Sequence, residues 1–265
     1  MFARFIKPSP LVDDATRQWL FDTYIWAIDT FGKNFFQQQN QLILPTNEFY
    51  PGRVHSVAEM TQLMFKQTLA HCGMQHWPVV LKDINQFPLN SQAIPALAFD
   101  GELRGANKVR LTDYRQDSVK SIAVTFQPQQ VNQPQDLIAT LVQQLAAALV
   151  KQRPEQIPGG QQLMPQTIDV VAAMMGFGVL FANTAYQFKG GCGSCYNAAA
   201  NRQAMLPETE AVYALAIFCV VKNIPYRHVK AHLKRHLRSQ LKQAYNELHQ
   251  DGINSPSSLL AYRQR

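Results

Sequence analysis

Apolar positions follow a helical period over most of this chain and a strand-like pattern only in its middle. Trp19, Leu20, Tyr24, Ile28 and Phe31 recur at the spacing of one helix face. Asp13 or Asp14 can cap this helix, which the pattern carries to about Gln39, with Gly32 as a point where it bends or weakens. A proline-containing loop, Leu44 to Val54, follows. Ser56 and Glu59 then make a capping box ahead of Met60, Leu63, Met64 and Leu69, and Gly73 is the expected stop.

Between residues 78 and 126 the pattern changes. Pro78–Leu81, Ala96–Phe99 and Ser121–Phe126 are short, apolar and partly β-branched, which predicts strands. Asp100-Gly101 fits a turn, and Lys108–Leu111 is expected to join the sheet. From Asn132 or Pro134 the helical period returns, with Leu137, Leu141, Leu145, Ala148 and Leu149 facing inward on a helix through Val150. A loop with Pro154, Pro158 and Gly159-Gly160 leads to the most apolar helix, Gln166 to about Gln187. Gly190–Met205 reads as a Gly- and Asn-rich connector. Pro207 opens a helix to Val221, and Pro225 opens the last, to about His249. The expected fold is α+β and mostly helical, with helices packed around a small antiparallel or mixed sheet. One domain over 1–265 is expected: N-terminal helices at 13–73, the sheet at about 78–126 and a helical part at 132–249.

Composition narrows the class. Apolar residues make up 46% of the chain, enough for a substantial core. Met1–Pro10 carries Arg4, Lys7 and two prolines with no apolar stretch behind them, unlike a signal peptide. The longest apolar runs, Val170–Ala182 and Ala211–Val221, are shorter than the roughly 18–20 residues of a membrane span. Four cysteines are too few for a disulfide scaffold. These features point to a cytoplasmic protein with no membrane partner.

The net charge of +7 has one source. Lys222, Arg227, Lys230, Lys234, Arg235, Arg238 and Lys242 lie between Val221 and Tyr245 with no Asp or Glu among them. Without these seven, the 25 basic residues fall to the number of acidic ones, 18. Such a helix is most simply a solvated face. It could also serve an adaptor that binds anionic partners. Nucleic acid is disfavoured, because only Tyr226 and Tyr245 supply aromatic rings there and no nucleic-acid motif occurs.

The most informative stretch is Ala139-Thr-Leu-Val-Gln-Gln-Leu-Ala-Ala147. A helix carrying H-E-x-x-H places two imidazoles on one face for zinc and a glutamate between them to activate water. This stretch resembles the corresponding helix of a bacterial zincin-like, metallopeptidase-related family, approximately A-T-I-A-H-E-L-A-H. Three further segments share the resemblance. Thr167–Asn183 keeps Asp169, Gly176, Gly178, Ala182 and Asn183 at the spacing of T-D-L-L-T-V-F-L-G-L-G-V-F-x-A-N. Leu206–Ala216 is similar to L-S-E-E-x-x-G-Y-A-L-A, and Leu44–Pro51 to L-P-T-P-E-F-F-P.

The chemistry departs from that pattern. Gln143 and Ala147 stand at the two histidine positions, Gln144 at the glutamate and Pro165 where a further acidic residue is expected. A carboxamide is a poor zinc ligand, alanine offers no donor, and Gln144 takes no proton near neutral pH. The resemblance therefore implies a degenerate member with no catalytic residues, no zinc at this place and no cofactor. Asp169, which is retained, is expected to serve as a polar contact to a neighbouring helix end. Such a protein would bind an unidentified protein or ligand through the former active-site cleft.

Two other constellations carry alternatives. Cys192-Gly-Ser-Cys195 could hold a metal, zinc above all, or a redox pair, but zinc needs two more ligands. Cys72 with His71 or His76 could supply them if the fold brings them close. His228, His232 and His236 lie four apart and would share one stripe of the last helix, flanking a buried seam of Val229, Leu233 and Leu237. The neighbouring lysines and arginines oppose a cation there.

Overall fold

Asp13 begins the first helix by accepting the Thr16 amide on its carboxylate at 2.8 Å, as an N-cap should. The computed structural model describes residues 9–86, 94–112, 121–185, 200–250, 259 and 261–262. Helix α1, Asp14–Phe31, stops at Gly32, and a separate α2, Lys33–Gln38, follows. The helix read as running to about Gln39 is therefore two. Gly32 adopts φ 152°, and a Cβ there would meet Arg104 at 3.1 Å, so the glycine admits both the turn and the close approach. The Glu102 carboxylate accepts the first amides of α2, from Asn34 and Phe35. Helix α3, Val57–Cys72, starts at the Ser56 cap and ends at left-handed Gly73, as its sequence signals require.

The strands form two pairs among the described residues. Strands β1 (Val79–Asp83) and β4 (Ile122–Phe126) run parallel with Val79 opposite Ile122, while β2 (Leu97–Phe99) and β3 (Val109–Leu111) form an antiparallel pair. Of the described residues only 7% are strand against 58% helix, so the fold is α+β and mostly helical. Two glutamines cover strand edges. Gln144 on α4 (Pro134–Val150) bonds the main chain of Thr125 in β4, and Gln152 just beyond α4 bonds Leu97 N and Pro95 O beside β2. Their carboxamides bond these main-chain groups as a neighbouring strand would.

The core lies between α1, α4, α5 (Met164–Ala172), α6 (Gly178–Thr184) and α7 (Glu208–Val221). Every residue of α7 from Ala211 to Val221 is buried. The apolar helix read as continuous from Gln166 is interrupted between α5 and α6 by a π-turn at Ala173–Phe177. There Gly176 takes φ 103°. A Cβ on Gly176 would lie 2.1 Å from the Gln41 carbonyl oxygen, so segment 40–43 can pass this close only to glycine. Gly178 lets α6 approach Leu215 of α7. The helical run Gln161–Thr184 is long and apolar enough to cross a membrane by length and composition, longer than its apolar stretch suggests. In this fold 72% of its most apolar window is buried.

The C-terminal part corrects a second expectation. In place of one helix from Pro225 there are α8, Tyr226–Lys230, and α9, Leu237–Gln250, separated by a corner. Asn183 of α6 holds it. Its side-chain amide donates to His232 O at 2.9 Å, and its oxygen accepts Lys234 N at 3.0 Å. Arg238 takes the carbonyl of Leu233, also released by the break.

Candidate functional site

Helices α4 and α5 pack together and bring Gln143 to Asp169. The Gln143 carboxamide donates to Asp169 Oδ1 at 2.8 Å and to the Gln203 carbonyl at 3.1 Å. The other carboxylate oxygen, Oδ2, accepts three bonds. These come from Arg202 Nη1 at 2.9 Å, Met205 N at 2.9 Å and Leu206 N at 3.2 Å. Asp169 thus anchors the segment that leads into α7. Four donors on one buried carboxylate satisfy its charge without water.

Arg202 is the residue the sequence reading missed. It sits in the polar connector, a composition that suggests a solvated loop, yet it is buried. Its Nε donates to Thr184 Oγ1 at 3.0 Å, and its guanidinium lies 4.2 Å over the Phe181 ring. Its own main-chain amide donates to Asp136 in the first turn of α4 at 2.8 Å. Burial raises the Asp136 carboxyl above its ordinary range, against the lowering pull of that amide and of Lys234.

The remaining predicted positions separate. Gln144 turns away from Asp169 and spends both ends of its carboxamide on Thr125, at 2.8 Å to N and 2.6 Å to O. Ala147 is half-buried one turn beyond Gln143, and Pro165 is exposed in the first turn of α5, one turn before Asp169. These residues do not fit a zinc ion. The one carboxylate is saturated by a guanidinium and three N–H groups, Gln143 directs a neutral amide at it, and Ala147 has no donor atom.

Cys192 and Cys195 lie outside the described residues. Their suggested helpers are placed. Cys72 is buried with its thiol pushed up to about 12 by desolvation, and His71 is bonded to the Phe49 carbonyl at 2.8 Å. The histidine stripe does not form, because the break at 231–236 takes His228, His232 and His236 off a common helix face. His236 instead bonds Glu208 at 3.0 Å. Among the described residues, no three His, Cys, Asp or Glu side chains are grouped to hold a metal.

The basic segment also divides. Lys222 is buried against the C-terminus of α2, donating to the carbonyls of Phe36 and Gln37, and burial together with Arg104 lowers its pKa to about 8. Arg238 is half-buried in the corner. Arg104, unmarked by any sequence pattern, is fully buried beneath α2. It donates to Cys72 O, Asn40 Oδ1 and Met174 Sδ, and burial lowers it to about 10.

No protein-family model, no curated protein and no solved structure matches the chain.

Proposed function

We propose that this chain is a non-catalytic, zincin-derived protein that acts by binding a partner or ligand over the surface where α4 and α5 meet. One observation carries the reading. Gln143, at the first histidine position of the resemblance, spends its amide on the Asp169 carboxylate, which is paired with the Arg202 guanidinium. The guanidinium is a permanent cation with directional donors, so Asp169 is satisfied within the protein and Gln143 is committed to it. The amide at the general-base position, Gln144, is tied to a strand edge and has no proton-accepting role near neutral pH. Gln143 and Ala147 are only half-buried, which leaves this surface within reach of a partner. A cytoplasmic location belongs to the same reading.

The test is peptide hydrolysis with added zinc, comparing the wild type with Gln143→Ala and Asp169→Asn. All three are expected at background. Hydrolysis by the wild type that is lost in both variants would overturn the proposal.

A further inference from the structure

Most of the exposed positive charge of the C-terminal part lies on α8 and on the corner between α8 and α9. Arg227, His228, Lys230, Lys234, Arg235 and His236 are all exposed there. The sequence carries no acidic residue between Glu210 and Glu247. Among the described residues, two carboxylates reach the corner from neighbouring elements: Glu208 at the start of α7, bonded to His236, and Asp136 in α4, within electrostatic range of Lys234. Arg227, Lys230 and Arg235 have no carboxylate partner among the described residues.

The corner is built rather than frayed. Asn183 fixes Lys234 N and His232 O, Tyr226 donates to Arg238 O at 3.1 Å, and Val229 and Leu233 are buried beneath. Cations on a fixed backbone lose less freedom on binding than cations on a loose tail.

We infer that this corner docks an acidic segment of a partner protein, whose carboxylates pair with Arg227, Lys230 and Arg235. Guanidinium forks match carboxylates in bidentate geometry. Other polyanions fit less well. Base stacking needs exposed rings, whereas Tyr226 and Tyr245 pack on each other at 5.9 Å. Duplex binding grows with the number of phosphates engaged, and three cations without a carboxylate partner on α8 and the corner match a short acidic run better. Peripheral membrane binding is strengthened by inserted apolar side chains. Among the described residues the one exposed large hydrophobe is Val57, which lies on α3.

The experiment measures binding of the full chain to poly-L-glutamate, to duplex DNA and to phosphatidylserine-containing vesicles at low and physiological salt. Poly-L-glutamate is expected to bind most tightly at low salt and to weaken about tenfold or more as salt screens the charges. Arg227→Glu, Lys230→Glu, Arg235→Glu is expected to abolish binding without shifting thermal unfolding, because all three side chains are exposed. Lys66→Glu, Lys82→Glu, Lys108→Glu changes the net charge equally at exposed positions elsewhere and is expected to keep binding. Absent poly-L-glutamate binding, equal loss in both triple variants, or tighter binding of DNA or vesicles would each overturn the inference.

Discussion

Arg202 Nη1 meets Asp169 Oδ2 at 2.9 Å with both side chains only 1% exposed, a buried ion pair formed across 33 residues of sequence. Breaking such a pair from one side strands a charge in the core. Arg202→Ala is therefore expected to lower the unfolding free energy by about 3–5 kcal/mol in urea titrations. Gln143→Ala removes one of four donors to the carboxylate and should cost less, about 1–3 kcal/mol. Arg202→Met with Asp169→Asn should be milder than the sum of the single changes, because neither charge is then left alone. Additive losses would show that the two residues are not coupled.

The π-turn predicts a sharp contrast between glycines. Gly176→Ala places a Cβ against the Gln41 carbonyl oxygen and imposes a disfavoured φ of 103°, both on backbone that cannot step aside. A loss of about 3 kcal/mol or more is expected. Gly101→Ala, with nothing within 4 Å of the added carbon, should change stability by no more than about 0.5 kcal/mol. Thermal unfolding of the two variants decides this.

Asn183 should matter to the corner more than to the helix that carries it. Asn183→Ala removes the acceptor of Lys234 N and the donor to His232 O. Amide exchange at Lys234 is expected to accelerate about tenfold or more, for a stability cost of about 1–3 kcal/mol. Unchanged exchange at Lys234 would mean that the corner is held by other contacts.

Buried thiols and a buried amine set opposite pH dependences. Burial holds Cys72 and Cys219 up at about 12, against an ordinary 9.0. Their contribution is complete below pH 9 and is lost as pH rises toward 12. Lys222 is held down at about 8, so its contribution is present above 10.5 and lost as pH falls through 8. Stability should therefore gain from Lys222 between pH 8 and 9 and decline above 9. Cys72→Ala with Cys219→Ala should flatten the decline. The part above pH 10 should persist, because burial also raises the hydroxyls of Tyr24, Tyr50 and Tyr245. Denaturant titrations across this range measure both slopes.

Elements specified by neighbouring residues were legible in the sequence. The Ser56 and Gly73 signals delimit α3, and the period from Leu137 to Leu149 fixes the inward face of α4, because caps and periodicity act within a few residues. The meeting of Gln143 and Asp169 follows from the packing of α4 against α5. Arg202 could not be anticipated, since its partner is chosen by tertiary packing and its surroundings in sequence look like a solvated loop. The break at 231–236 was hidden for the same reason. Ala231, His232, Leu233, Lys234 and Arg235 all tolerate a helix, and the break is held by Asn183, about fifty residues upstream. Gly176 lies inside an apolar helical run that gives no sign of a turn; its role is conformational, and only the passage of Gln41 beside it reveals that.

The most direct test of the account is zinc binding measured by native mass spectrometry on the Cys192→Ser, Cys195→Ser protein, which removes the CxxC pair from the count. With Asp169 held by Arg202 and Gln143, no stoichiometric zinc is expected, with or without added metal. One equivalent of tightly bound zinc that disappears in Gln143→Ala or Asp169→Asn would contradict it.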